Sequence, residues 1–147
     1  MSGWATENFK WAELACHDLA RTPYPRDWKQ YRGIPLCQEA EILRSRAGGF
    51  PLRVTSGYRT AEHNRKSFVG GAPNSRHVTG LALDLWPLKG LSVFELHRVA
   101  LDRAAEHGAL LRGIGLYPGW LHIDIRESAR LAHWIDPEAR TLMLDAA

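Results

Sequence analysis

The chain has 147 residues, which at roughly 100–200 residues per domain is one domain, expected to span 1–147. Hydrophobic residues make up 45% and charged residues 24%, which excludes a disordered tail, a collagen-like repeat and a coiled coil. The formal charge of +3 is spread over single Lys and Arg residues, so no clustered basic patch supports nucleic-acid binding.

The first 18 residues hold no basic stretch followed by an apolar run, so the sequence predicts synthesis in the cytoplasm without a secretory signal. No stretch approaches the ~18 apolar residues of a membrane-spanning helix, and no integral membrane segment is expected. Residues 9–20 place Trp11, Leu14, Ala15 and Leu19 close to helical spacing and predict a short helix. Cys16 and Cys37 are too few for a disulfide framework and read as buried free thiols, with a single bridge the other option. Cys16-His17 lacks a second pair at zinc-finger spacing.

Residues 21–35 carry Pro23, Pro25, Gly33 and Pro35 and predict an irregular connection. Over 36–47, Leu36, Ala40, Leu43 and Ala47 fall on one helical face, and Gly48-Gly49 supplies the stop. Residues 51–56 read as a strand entering Gly57, and 68–76 as a Gly/Pro/Asn/Ser loop. Residues 81–86 alternate as a strand, Ser92 and Glu95 suit a helix start over 92–107, and 113–117 with 121–126 form two strands about Pro118-Gly119. Three helices and four strands that do not alternate regularly favour α+β: a small antiparallel sheet with flanking helices.

Two of these strands carry polar side chains in register. In 81–86, Leu81, Leu83 and Leu85 share one face, while Ala82, Asp84 and Trp86 share the other. A carboxylate in an apolar strand must be solvated, paired or metal-bound. In 121–126, His122, Asp124 and Arg126 point together, making a polar surface that is either functional or merely solvated. With His77 from the preceding loop, His77, Asp84 and His122 supply two imidazoles and a carboxylate, the three-ligand set of an open zinc site. Arg59 follows a strand and a Gly turn, as a guanidinium for a carboxylate or an oxyanion, or as a surface salt bridge.

The motifs Ser-Gly-Tyr-Arg (56–59), His-Asn (63–64), S-x-H-x-x-G-x-A-x-D (75–84), Gly-Ile-Gly-x-Tyr (113–117) and His-Ile-Asp (122–124) occur in this order. The set resembles the zinc D-Ala-D-Ala carboxypeptidase family of murein peptidases, and within it the short single-domain proteins often found in phages and prophages. The resemblance implies that His77, Asp84 and His122 bind Zn2+ in a cleft on the sheet. It implies that Arg59 contacts substrate and stabilises charge, and that Ser75, Tyr58 and Asn64 bind the peptide. The implied substrate is a stem or cross-bridge peptide of peptidoglycan, cut by a monomer that reaches the wall after release or on a virion.

Many members carry an acid three residues before the last zinc histidine, where this chain has Gly119. Asp124 is the candidate to replace it as general base, since it shares a strand face with His122; the alternative is that Asp124 pairs with Arg59 or Arg126 and only shapes the site. The missing acid also leaves open a catalytically inactive, zinc-stapled module that binds wall peptide or a partner protein. A glycosidase finds no support, because no Glu/Asp pair is positioned for it. Of the remaining groups, His63 is expected to line the cleft or cap a turn, and His97 to be a half-buried core residue. His17, His107 and His133 are expected at the surface or in packing. Trp86 and Trp120 are expected to wall the cleft, and Arg126, Arg130 and Trp134 to close the C-terminal segment.

Overall fold

The computed structural model describes residues 3–145. A five-stranded sheet is built from β3 (Leu52–Ser56), β4 (Ala82–Pro87), β5 (Gly113–Leu116), β6 (Leu121–Asp124) and β7 (Ala132–Ile135), in the order β3-β4-β6-β5-β7. The first three pairings along that order are antiparallel, and β7 adds to the edge of β5 in parallel. A separate two-stranded ribbon joins β1 (Trp4–Thr6) to β2 (Phe9–Lys10).

The helices are α1 (Ile34–Arg46), the short α2 (Ala61–Asn64), α3 (Val93–Ala104) and α4 (Pro137–Asp145). Leu36, Leu43, Leu96 and Ala100 from α1 and α3 are fully buried with Leu83, Leu85, Ile114, Leu116, Leu121 and Ile123 of the sheet. The alternation read from the strands therefore holds: one face of β4, β5 and β6 forms the core, and the other is free for polar groups. Across that core the Arg103 guanidinium of α3 donates from Nη2 (2.8 Å) and Nε (3.0 Å) to both oxygens of Glu39 in α1. Glu39 is buried, so this pair is satisfied on both sides and orients the two helices.

Residues 9–20 are not the expected helix. Phe9–Lys10 form a strand, Trp11–Leu14 a 3-10 turn, and the chain is irregular beyond. Asp18 accounts for the difference: its carboxylate accepts from the Thr22 N–H (2.8 Å) and hydroxyl (2.6 Å), a local bonding pattern that competes with a helix. The helix expected at 36–47 starts earlier, at Ile34, with Pro35 in its first turn where a missing N–H costs nothing. Ser92 caps α3 as expected, accepting from Phe94 N–H at 3.0 Å. Strand β7 and helix α4 add to the elements that the sequence pattern predicts. Cys16 and Cys37 are both free and buried.

Candidate active site

The register of the sheet assembles the site. Asp84 of β4 stands opposite His122 of β6, and His122 stands opposite Gly115 of β5. His77 comes from the turn before β4, where the Arg59 N–H donates to the His77 carbonyl (3.1 Å) and ties that turn to the end of β3. His77 Nε2 and His122 Nδ1 each lie 3.2 Å from Oδ1 of Asp84, and the three ligand atoms lie within 4.8 Å of one another.

The remaining ring nitrogens fix the tautomers. His77 Nδ1 donates to the carbonyl of Gly57 at 2.7 Å, and His122 Nε2 donates to Oδ2 of Asp124 at 2.8 Å. Both acceptors lack a proton, so in the neutral rings the unprotonated nitrogens face Asp84. Two imidazole lone pairs and a carboxylate oxygen converge with no donor among them. That donor set fits a cation, and two nitrogens with one oxygen and an open fourth position suit catalytic zinc.

Electrostatics agree with this reading. Burial opposes the charge on Asp84, but the neighbouring His77 and His122 rings outweigh it and hold the carboxyl below its ordinary range. Burial lowers His77, against the pull of Asp84, so this ring is neutral and available. For His122, burial is outweighed by Asp124 and Asp84, which raise it in the metal-free protein.

Asp124 is paired with Arg126, the arrangement expected where it shapes the site. It is fully buried (0% exposed), and Arg126 donates to it from Nε (2.8 Å), Nη2 (2.7 Å) and the backbone N–H (3.2 Å). Together with His122 these donors occupy both oxygens, and burial of the carboxyl is outweighed first by Arg126 and then by His122, leaving it ionised and below its usual range. It sits behind the imidazole, at the nitrogen opposite the one that faces Asp84. The strands make room for it: a Cβ on Gly113 would collide with the Asp124 carboxylate, and one on Gly115 with the Trp134 ring.

Arg59 is held in place from three sides. It donates from Nε to Ser56 Oγ (3.1 Å) and from Nη1 to Asn64 Oδ1 (3.2 Å), and its Nη2 lies 3.6 Å from Asp84 Oδ2. Asn64 is only 3% exposed, and its Nδ2 donates to the Ala72 carbonyl (2.9 Å). Asn64 therefore braces Arg59 and the 65–76 loop. Ser75 and Tyr58 do line the cleft, and Ser75 Oγ accepts from the His77 N–H (3.2 Å).

The cleft has two lobes, of about 350 and 340 Å³, that share Arg59, Val69, Asp84 and Trp120. The first also holds His77, His122, Ser75, Arg76, Tyr117 and Trp134; the second holds Tyr58, His17, His63 and Trp86. Trp120 stacks between Trp86 (6.2 Å, 14°) and Tyr117 (4.6 Å, 2°), so both expected tryptophans wall the cleft. Asp84 is the sole carboxylate lining either lobe among the described residues. At Gly119 a Cβ would collide with the Trp86 ring, so that ring occupies the space an acidic side chain would leave by. Tyr117 and His17 were missed as cleft residues; His17 carries no spacing signal, whereas Tyr117 lies two residues beyond Gly115 on the ligand face. Of the expected C-terminal closure, Arg126 lies over the Trp134 ring (5.7 Å) while Arg130 stays exposed.

Fold and donor set together define an α+β domain with a zinc site of the catalytic kind, closed by three protein ligands and open to a cleft. A family model described as Peptidase M15 matches residues 7–124, and the chain belongs to this family. It is a metallopeptidase, and peptidases of the family are zinc-dependent. No curated protein and no solved structure matches the chain.

Proposed function

We propose that the protein hydrolyses a peptide bond in the stem or cross-bridge peptides of peptidoglycan and opens the wall in the manner of a phage endolysin. The carrying observation is the convergence of His77, Asp84 and His122 on the floor of an open cleft, beside an immobilised arginine. When bound, zinc supplies Lewis acidity, activating water and polarising the scissile carbonyl. Gly57 and Asp124 hold the two imidazoles in the tautomers that leave His77 Nε2 and His122 Nδ1 free. Arg59, with its side chain braced by Ser56 and Asn64, presents positive charge to a substrate carboxylate or to the carbonyl oxygen as it gains charge. Burial lowers the Arg59 pKa against the opposing pull of Asp84, yet a guanidinium stays charged in proteins. The site of action is the wall, reached after release from the cytoplasm or on a virion, and the acting species is a monomer.

A second reading is favoured by one observation. With Gly119 in place of an acid and Trp86 over it, the cleft resembles a zinc-stapled recognition module. Mass spectrometry of purified peptidoglycan digested with the zinc-loaded protein, with and without chelator, separates the two. Chelator-sensitive peptide fragments support the peptidase and identify the bond. Stoichiometric zinc with no new fragments supports the binding module.

A further inference from the structure

Strand β5 gives the ligand face almost nothing: Gly113 and Gly115 leave it open for the Asp124 carboxylate and the Trp134 ring. The first side chain that this run of alternate residues offers is Tyr117. Its ring is fixed in plane by parallel stacking on Trp120, at 4.6 Å and 2°. Its hydroxyl oxygen accepts the Nε1–H of Trp134 at 3.0 Å, and the Trp134 ring itself packs on His122, with centroids 5.0 Å apart. An indole N–H donates only, so the Tyr117 proton cannot be directed back at Trp134. No other group among the described residues accepts it. Tyr117, Trp134, Arg59 and the three zinc ligands line the same lobe. An oriented donor without an acceptor, on the wall of a cleft where an oxygen is to gain charge, is the arrangement used to stabilise such charge.

We infer that Tyr117 is a further catalytic residue, whose hydroxyl donates a hydrogen bond to the scissile carbonyl oxygen as it gains charge, with Trp134 as its positioning residue. The inference rests on the peptidase reading above. Tyr117 donates this hydrogen bond without transferring a proton, so it is no substitute for a base.

The test uses the full zinc-loaded chain and purified muropeptides. Tyr117→Phe should keep one zinc per chain and the wild-type melting temperature. Its kcat should fall by about 10²-fold, the loss typical of deleting one oxyanion donor, with KM unchanged. A second measurement uses a phosphinate peptide, a stable mimic of the charged carbonyl oxygen. Tyr117→Phe should weaken its inhibition by about the factor by which kcat falls, a loss that a merely structural ring would not produce. Wild-type kcat in fully zinc-loaded Tyr117→Phe overturns the assignment, as does phosphinate inhibition equal to wild type. Should Tyr117→Phe fail to fold or load zinc, Trp134→Phe, which removes the N–H that positions the hydroxyl, decides by the same two readings. Absence of cleavage by the zinc-loaded wild type overturns the peptidase reading itself, and this inference with it.

Discussion

Asp124 and His122 are joined through Nε2 of the imidazole at 2.8 Å, on the side away from the Nδ1 that faces Asp84. A carboxylate there sets the tautomer and basicity of a metal ligand and contributes to metal affinity, but it has no path to a proton in the cleft. Asp124→Asn should therefore weaken zinc binding by about 10–100-fold, with activity recovered as zinc is raised. Metal titration followed by rate measurement at saturating zinc checks this. A variant that binds zinc normally yet stays inactive at saturation would return Asp124 to the role of base.

Trp86 governs what Gly119 can become. Gly119→Glu restores in sequence the acid that many relatives carry, but its Cβ meets the Trp86 ring. Overpacking of this kind costs about 1–3 kcal/mol, so Gly119→Glu alone should lower the melting temperature and give no gain in rate. Combined with Trp86→Ala, the new side chain has room, and stability should return in part. Paired thermal melts and rates test the pair, and a faster single variant would contradict the geometry.

Much of the site was legible because strand alternation is a strict rule. Period two placed Asp84, His122 and Asp124 on one face and Leu83, Leu85 and Ile123 on the other, as the structure has them. Three-dimensional partners were not legible. That Asp124 points behind His122 depends on Gly113 leaving space and on Arg126 folding back, neither of which a linear pattern reveals. Residues 9–20 misled because Leu19 and Ala15 fit helical spacing, while Leu19 is in fact fully exposed and the Asp18 carboxylate holds a turn. Helix α4 carries a sequence signal in Asp136-Pro137, an N-cap residue before a first-turn proline, and the Asp136 carboxylate accepts from the Glu138 N–H at 3.1 Å. Strand β7 is only four residues long, too short for its period to stand out.

Removing the metal should loosen the fold as well as stop the chemistry. The ligands join the His77 turn, β4 and β6, and without a cation their lone pairs face one another. A bound ion at 100 times its dissociation constant stabilises by about 2.7 kcal/mol, so chelation should lower the melting temperature and zinc should restore it. His77→Ala should remove both the activity and the chelator-dependent shift. A melting temperature indifferent to chelator in the wild type would argue against metal at these residues.

A second histidine pair gives the fold a pH dependence of its own. His97 of α3 and His133 of β7 meet through their Nε2 atoms at 2.9 Å, with stacked rings 5.1 Å apart. One proton serves this bond, and a second between the two Nε2 atoms would break it by setting two N–H groups face to face. Burial first, and His133 next, hold His97 below its ordinary value of 6.5. The unfolded chain then binds more protons than the folded one as pH falls through about 6.5, so stability declines there and levels off below the folded-state pKa. The stabilisation is fully present above about pH 6.5, where both states are neutral at this site. With chelator present throughout, wild-type melting temperature should fall more between pH 7.5 and 5.5 than that of His97→Gln, which keeps an amide for His133 but does not titrate. Equal falls in the two proteins would show that this pair carries none of the acid sensitivity, leaving it to groups such as His77 and His17, whose pKa values burial also lowers.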